Sequence, residues 1–335
     1  MEEVSITTYL NYGLATLFIW ILGGLFFKNK IGTVKFKKSG DEYDNDIEFY
    51  EKALESDLAT FGENHPNVAT RWNNLGCAWD SKGQYDKAIE YYEKALKSDL
   101  ATFGENHPNV ATRWNNLGCA WESKGQYDKA IEYYEKALKS DLTTFEEKHP
   151  DVAIDWNNLG CAWELKGQYD KAIEYYEKAL KSYLATFGES HPNVASSWNN
   201  LGSAWESKGE YDKAIEYYEK ALKFDLATFG EKNPNVAIDW NNLGSAWKAK
   251  GQNDKAIDYY EKALKSDLAT YGESHPDVAT LWNNLGSVWV SNRDYDKAIE
   301  YFEKALAVYE KSNIPDRVKL VKENIEVLKV KKAGK

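Results

Sequence analysis

Tryptophan recurs at Trp72, Trp114, Trp156, Trp198, Trp240 and Trp282, 42 residues apart each time. A strict interval of this size constrains the fold more than any other feature of the chain. It specifies an array of like units, each able to bury its apolar face only against its neighbours. A length of 335 residues would otherwise suggest two globular domains; here it counts copies.

One copy, residues 68–109, shows what the unit is. Trp72, Leu75, Gly76 and Trp79 fall at i, i+3, i+4 and i+7, one apolar face of a helix. Gly83 supplies the left-handed residue that ends it. A second stripe follows, with Tyr85, Ala88, Ile89, Tyr92, Ala95, Leu96, Leu100 and Phe103 on one side. Its other side pairs Glu90 with Lys94 and Glu93 with Lys97 at i, i+4, a solvated face. Gly104 breaks this helix, and Pro108 opens the next where its missing N–H costs nothing. The unit is therefore helix, short turn, longer helix, loop.

The pattern of Trp72, Leu75, Gly76, Trp79, Gly83, Tyr85, Ala88, Tyr92 and Ala95 resembles the tetratricopeptide (TPR) signature. The copies are roughly eight residues longer than the usual 34-residue unit, with "FGENHPNVA" in the loop. They resemble the long variety of kinesin light chains and nephrocystin-like proteins. The resemblance implies an all-α fold, a right-handed superhelical solenoid of antiparallel helix pairs. Its first helices would line a concave groove that holds peptides. It covers 41–312, as one half repeat plus six full repeats, followed by a capping helix over 314–332 with Val318, Val321, Ile325 and Leu328 as its apolar stripe. Three positions depart from the pattern: Leu100 stands where shorter repeats end in proline, Glu146 replaces a loop glycine, and Arg293 replaces a turn glycine.

Two adjacent asparagines sit inside every first helix. Asparagine costs about 0.5–0.7 kcal/mol relative to alanine there, so twelve of them require an offsetting interaction. With Trp72 at 0°, a projection at 100° per residue puts Asp80, Asn73, Cys77, Thr70, Ser81 and Asn74 on one polar arc, between about 80° and 200°. An amide donates to a peptide carbonyl and accepts from its N–H together. The expected peptide-binding residues are therefore Asn74, Asn116, Asn158, Asn200, Asn242 and Asn284, then Asn73, Asn115, Asn157, Asn199, Asn241 and Asn283. The competing reading ties each amide to a neighbouring helix or turn. Asp80, Glu122, Glu164 and Glu206 form an acidic rail on the same arc, ended by Lys248 and Val290, and suit a partner with spaced Lys or Arg. The clamp by which TPR co-chaperones grip a C-terminal carboxylate is missing, since Asn73 and Cys77 stand in its Lys and Asn slots.

Charge and residue usage exclude other classes. The net charge is −11, but 1–40 carry +3 and 314–335 carry +4, so the array between them holds −18. Such a surface repels phosphate backbones and argues against nucleic acid. Cys77, Cys119 and Cys161 are one position in three successive copies. Packed helices lie about 8–10 Å apart, beyond the roughly 7 Å limit for a disulfide, so free thiols are expected. His65, His107, His149, His191 and His275 are one loop position before proline, kept apart by the period. No phosphate loop, Cys-x-x-Cys or nucleophile beside a base is present. No enzyme, cofactor, metal or small-molecule substrate is expected.

Val4 to Phe27 lacks any charged side chain. As a helix these residues reach roughly 36 Å, enough for a bilayer core of about 30 Å. Glu2 and Glu3 precede the stretch and Lys28, Lys30, Lys35, Lys37 and Lys38 follow it, a single-pass anchor over 4–27 with a basic linker over 28–40. The positive-inside rule then puts the N-terminus outside and the solenoid in the cytosol. A buried apolar helix in a cytoplasmic protein and a cleaved signal are the alternatives. The functional expectation is a membrane-tethered, non-catalytic scaffold or adaptor that binds extended protein segments. An organelle-surface receptor for chaperone-bound clients and a soluble spacer or self-association module remain alternatives.

Overall fold

The computed structural model describes residues 40–333. The anchor expected over 4–27 and all but the last residue of the basic linker lie outside them. Among the described residues no helix is long and apolar enough to cross a membrane.

Those residues are all helices and short connections, in two compact units, the chain passing from one to the other after Gln252. The first unit holds α1 (Gly40–Phe61), α2 (Pro66–Ser81), α3 (Tyr85–Phe103), α4 (Pro108–Ser123) and α5 (Tyr127–Thr144). It continues with α6 (Pro150–Leu165), α7 (Tyr169–Phe187), α8 (Pro192–Ser207), α9 (Tyr211–Phe229) and α10 (Pro234–Ala249). The second holds α11 (Asn253–Tyr271), α12 (Pro276–Ser291), α13 (Tyr295–Lys311) and α14 (Pro315–Ala333). The expected all-α architecture of helix pairs is present, with the pair boundaries at the glycines and prolines that mark them.

Each boundary has a local cause. The His65 Nδ1 accepts from Asn67 N at 3.2 Å and Pro66 follows as the first helical residue. The imidazole also stacks on Phe61, centroids 4.4 Å apart. His107, His149, His191 and His275 repeat both contacts, so the loop histidines are helix caps. Gly83, at φ 79, closes the first helix, and Gln84 N then reaches Trp79 O at 2.9 Å. Where Glu146 replaces the loop glycine, α5 stops at Thr144 and an extended Phe145 caps it. Arg293 adopts φ 62 in place of the turn glycine, a conformation disfavoured for a side chain with a Cβ.

Two contacts build the core. Within a pair, the Tyr92 ring lies against Gly76 so closely that a Cβ there would sit 2.5 Å from Tyr92 Cδ1. Tyr134 on Gly118, Tyr176 on Gly160 and Tyr218 on Gly202 repeat this approach. Between pairs, Ala88, Ile89 and Tyr92 of α3 pack with Leu117 and Ala120 of α4. In the second unit α14 covers α13 through Val321, Ile325 and Leu328, and its Lys322, Lys329 and Lys332 pair with Glu310, Glu303 and Asp296. The solvated faces are as expected in part: Lys94 pairs with Glu90 at 2.7 Å, whereas no bond joins Glu93 to Lys97 in the described residues.

Gly160→Ala is expected to cost about 1–3 kcal/mol, because the buried Tyr176 ring has no room to retreat. Arg293→Gly is expected to gain about 1 kcal/mol by removing a left-handed side chain. Urea unfolding followed by circular dichroism measures both.

Candidate functional site: the face of the first helices

The polar arc expected to face solvent as one surface divides in two. Thr70, Asn74, Cys77 and Ser81 are half-buried or exposed, at i, i+4, i+7 and i+11 of one stripe. Asn73 and Asp80 turn inward to the joint with the next pair and are buried. The cause is the stacking, which covers the side of the arc nearer the following first helix.

At that joint the amides bond to one another. Asn116 Nδ2 donates to Asn73 Oδ1 at 2.6 Å, Asn158 to Asn115 at 3.1 Å, Asn200 to Asn157 at 2.7 Å and Asn242 to Asn199 at 3.5 Å. At these four joints the second asparagine of a copy thus reaches the first asparagine of the copy before. Asn115 is spent twice, since its Nδ2 donates to Asp155 Oδ1 at 2.6 Å; Asn199 does the same to Asp239 at 2.7 Å. The ladder runs between protein groups, and it offsets the helix cost of these residues at about 1 kcal/mol per bond. Asn74, Asn116, Asn200 and Asn242 stay half-buried, while Asn158 is only 3% exposed. Asn157 and Asn241 are buried, and Asn283 and Asn284 are half-buried in the second unit.

The acidic rail is likewise built into the joints. Glu164 Oε2 accepts from Tyr176 Oη at 3.1 Å, and its Oε1 accepts from Ser203 Oγ of the next copy at 2.7 Å. Glu206 is held by Tyr218 at 3.0 Å and Ser245 at 2.6 Å. Glu122 has longer bonds, to Tyr134 at 3.4 Å and the weak donor Cys161 at 3.6 Å. Burial pushes the Glu122 carboxyl up to about 7, with the two bonds opposing. These carboxylates work as brackets, so the side of the arc open to solvent is small and mostly uncharged. The three thiols are free, as expected, and burial drives Cys119 to about 12 and raises Cys77 and Cys161.

One position at the joints escaped the sequence reading. Arg71 Nε bonds Asp57 at 2.8 Å, and Arg113 Nε bonds Asp99 at 2.9 Å, the second pair with side chains 8% and 1% exposed. The same slot holds Asp155, Ser197 and Asp239 in the next three copies. The legible signal was an aspartate fourteen residues ahead of a position whose charge changes sign.

A family model described as Tetratricopeptide repeat matches residues 29–101, 80–143, 122–185, 156–227, 193–269 and 235–311. Among solved structures, BtubC (BKLC) from P. vanneervenii is similar with 25% identity and a TM-score of 0.60, over 69% of this chain and 92% of that one. A Podosopora anserina protein of kinesin light chain type, with nearly identical TPR-like repeats, matches at 23% identity and TM-score 0.55, over 62% and 98%. A chain of the APC/C hetero-tetramer Cut9–Hcn1 matches at 20% and 0.54, over 83% and 46%. Comparison with curated proteins finds no match.

Native alkylation by iodoacetamide at pH 8 is expected to be slower than in urea by on the order of a thousandfold at Cys119, because the thiolate is the reactive form. Peptide mass spectrometry of the labelled chain reads this directly. Asn200→Ala is expected to lower stability by about 1 kcal/mol through the lost bond to Asn157, read in urea unfolding.

Proposed function

The chain belongs to the tetratricopeptide repeat family, and from that premise we propose that its first-helix face binds extended segments of partner proteins as a non-catalytic scaffold. Membership makes it a protein–protein interaction module. The half-exposed stripe of small polar side chains beside the second asparagine series carries the finer reading. Asn116, having given one amide hydrogen to Asn73, keeps its second hydrogen and its carbonyl oxygen for a ligand. A peptide main chain offers the complementary donor and acceptor at every residue. The first asparagine series and the carboxylates at 122, 164 and 206 support this surface from behind. Their engagement weakens the case for a ligand chosen by spaced basic side chains, and favours recognition of the main chain. Ile154, Leu165 and Ile238 add aliphatic contact in two copies.

The uncharged run from Val4 to Phe27, with five lysines after it, supports a tether that holds the array at the cytosolic surface of a membrane. Retention of the full chain in the pellet after carbonate extraction is the expected result; release would remove the tether.

Selection of a displayed random peptide library on the chain tests the groove. Thr112→Arg with Ser123→Arg fills the open stripe and leaves the amide ladder alone. Recovery of bound peptides is expected to fall at least about tenfold, with the thermal midpoint held. Undiminished recovery would move the binding surface elsewhere.

A further inference from the structure

The slot occupied by Arg71 and Arg113 changes chemistry in the third copy. There α6 presents Asp155, 0% exposed, to Asp141 of α5, 4% exposed. Asp141 and Asp155 occupy the slots of Asp99 and Arg113, which bond at 2.9 Å in the copy before, and each carboxyl acts on the ionisation of the other. Asp155 Oδ1 takes the amide of Asn115. Asp155 Oδ2 and Asp141 Oδ1 are buried with no donor, and among the described residues neither carboxyl has an ion pair. Two facing acceptors in a buried joint, with like charge if both ionise, are reconciled by a single hydrogen between them.

We propose that Asp141 and Asp155 share one proton in the folded array, and that this proton fastens α5 to α6, tight in mildly acidic solution and loosened as the solution turns alkaline.

The groups around the pair favour the proton. Asp151, on α6, faces both carboxyls and adds negative charge. His149 caps the same helix, its Nδ1 3.7 Å from Asp151 Oδ2. From α4 comes Asn115, which is neutral. From α7 comes Tyr183, whose hydroxyl is driven upward by burial and by Asp155 and Asp151, and so stays neutral. Burial first, then the facing carboxylate, lifts Asp155 well above the ordinary range; burial and Asp151 lift Asp141 to about 7. An unfolded aspartate titrates near 3.9. Between there and about 7 the folded chain holds protons that the unfolded chain has lost. The stabilisation is therefore complete below about pH 4 and declines as pH rises through about 7, where Asp141 ionises and the one shared proton stays with Asp155; it is lost only when Asp155 ionises in more alkaline solution. The fifth copy repeats the composition, with Asp225 and Asp239 in the equivalent slots and Asn199 donating to Asp239.

Hydrogen exchange on the full chain at pH 6 and pH 8, corrected for intrinsic rates, tests the fastener locally. Protection of the α5 and α6 amides is expected to fall about tenfold across that step. Asp155→Asn places a permanent donor against Asp141 and should abolish the fall, although Glu122 still titrates in both chains. Asp155→Arg should restore the pairing of the earlier copies and raise protection at pH 8. Asp141→Asn serves as the mirror variant if Asp155→Asn folds poorly. A flat wild-type profile, or an equal fall in the asparagine variants, would overturn the shared proton. So would recovery of wild-type protection at pH 8 by sodium or calcium chloride but not by choline chloride at equal ionic strength, which would assign a metal cation to the slot.

Discussion

The tyrosine ring pressed against a helical glycine is the contact from which the other joints are set. It brings α4 and α5 together at Gly118 and Tyr134, closer than any side chain at 118 would allow. The same ring then carries its hydroxyl to Glu122, whose other oxygen meets Cys161 of the following copy. Packing within a pair thus fixes where the polar link to the next pair begins. An interior hydroxyl of this kind is affordable only because an acceptor is already in place.

Polar groups at these joints form three parallel connections: amide to amide, carboxyl to tyrosine and serine, and the variable slot of Arg113 and Asp155. Apolar contact between pairs is supplied by clusters such as Ala88, Ile89 and Tyr92 against Leu117 and Ala120. It determines that neighbours stack, while the directional bonds determine at what angle and height they do so. The open stripe of Thr70, Asn74, Cys77 and Ser81 inherits its regularity from those hidden bonds. A surface for extended chains needs such regularity more than it needs strong individual contacts.

Much of this was legible before any coordinates. The 42-residue interval, Gly83, Gly104 and Pro108 specified the pairs and their boundaries, whereas His65 read only as a loop position before proline and its capping bond to Asn67 came from the structure. The helical projection correctly put Asn73, Asn74 and Asp80 on one arc. It could not divide that arc, because periodicity locates a residue on its own helix and is silent on how far the next helix covers it. The asparagines therefore read as a ligand ladder, when their first commitment is to each other. Asp141 and Asp155 were hidden for a related reason: fourteen residues separate them, on different helices, and only stacking makes them face.

The variable slot has a consequence for how nearly identical copies find their proper neighbours. Any second helix could dock on any first helix by its apolar stripe alone, so a nascent array is exposed to skipping a copy. Were α3 to close on α6 in place of α4, Asp99 would meet Asp155 and forfeit Arg113. The residue at this position distinguishes otherwise interchangeable parts: the first two copies set an arginine opposite the aspartate, and the third sets a second aspartate there.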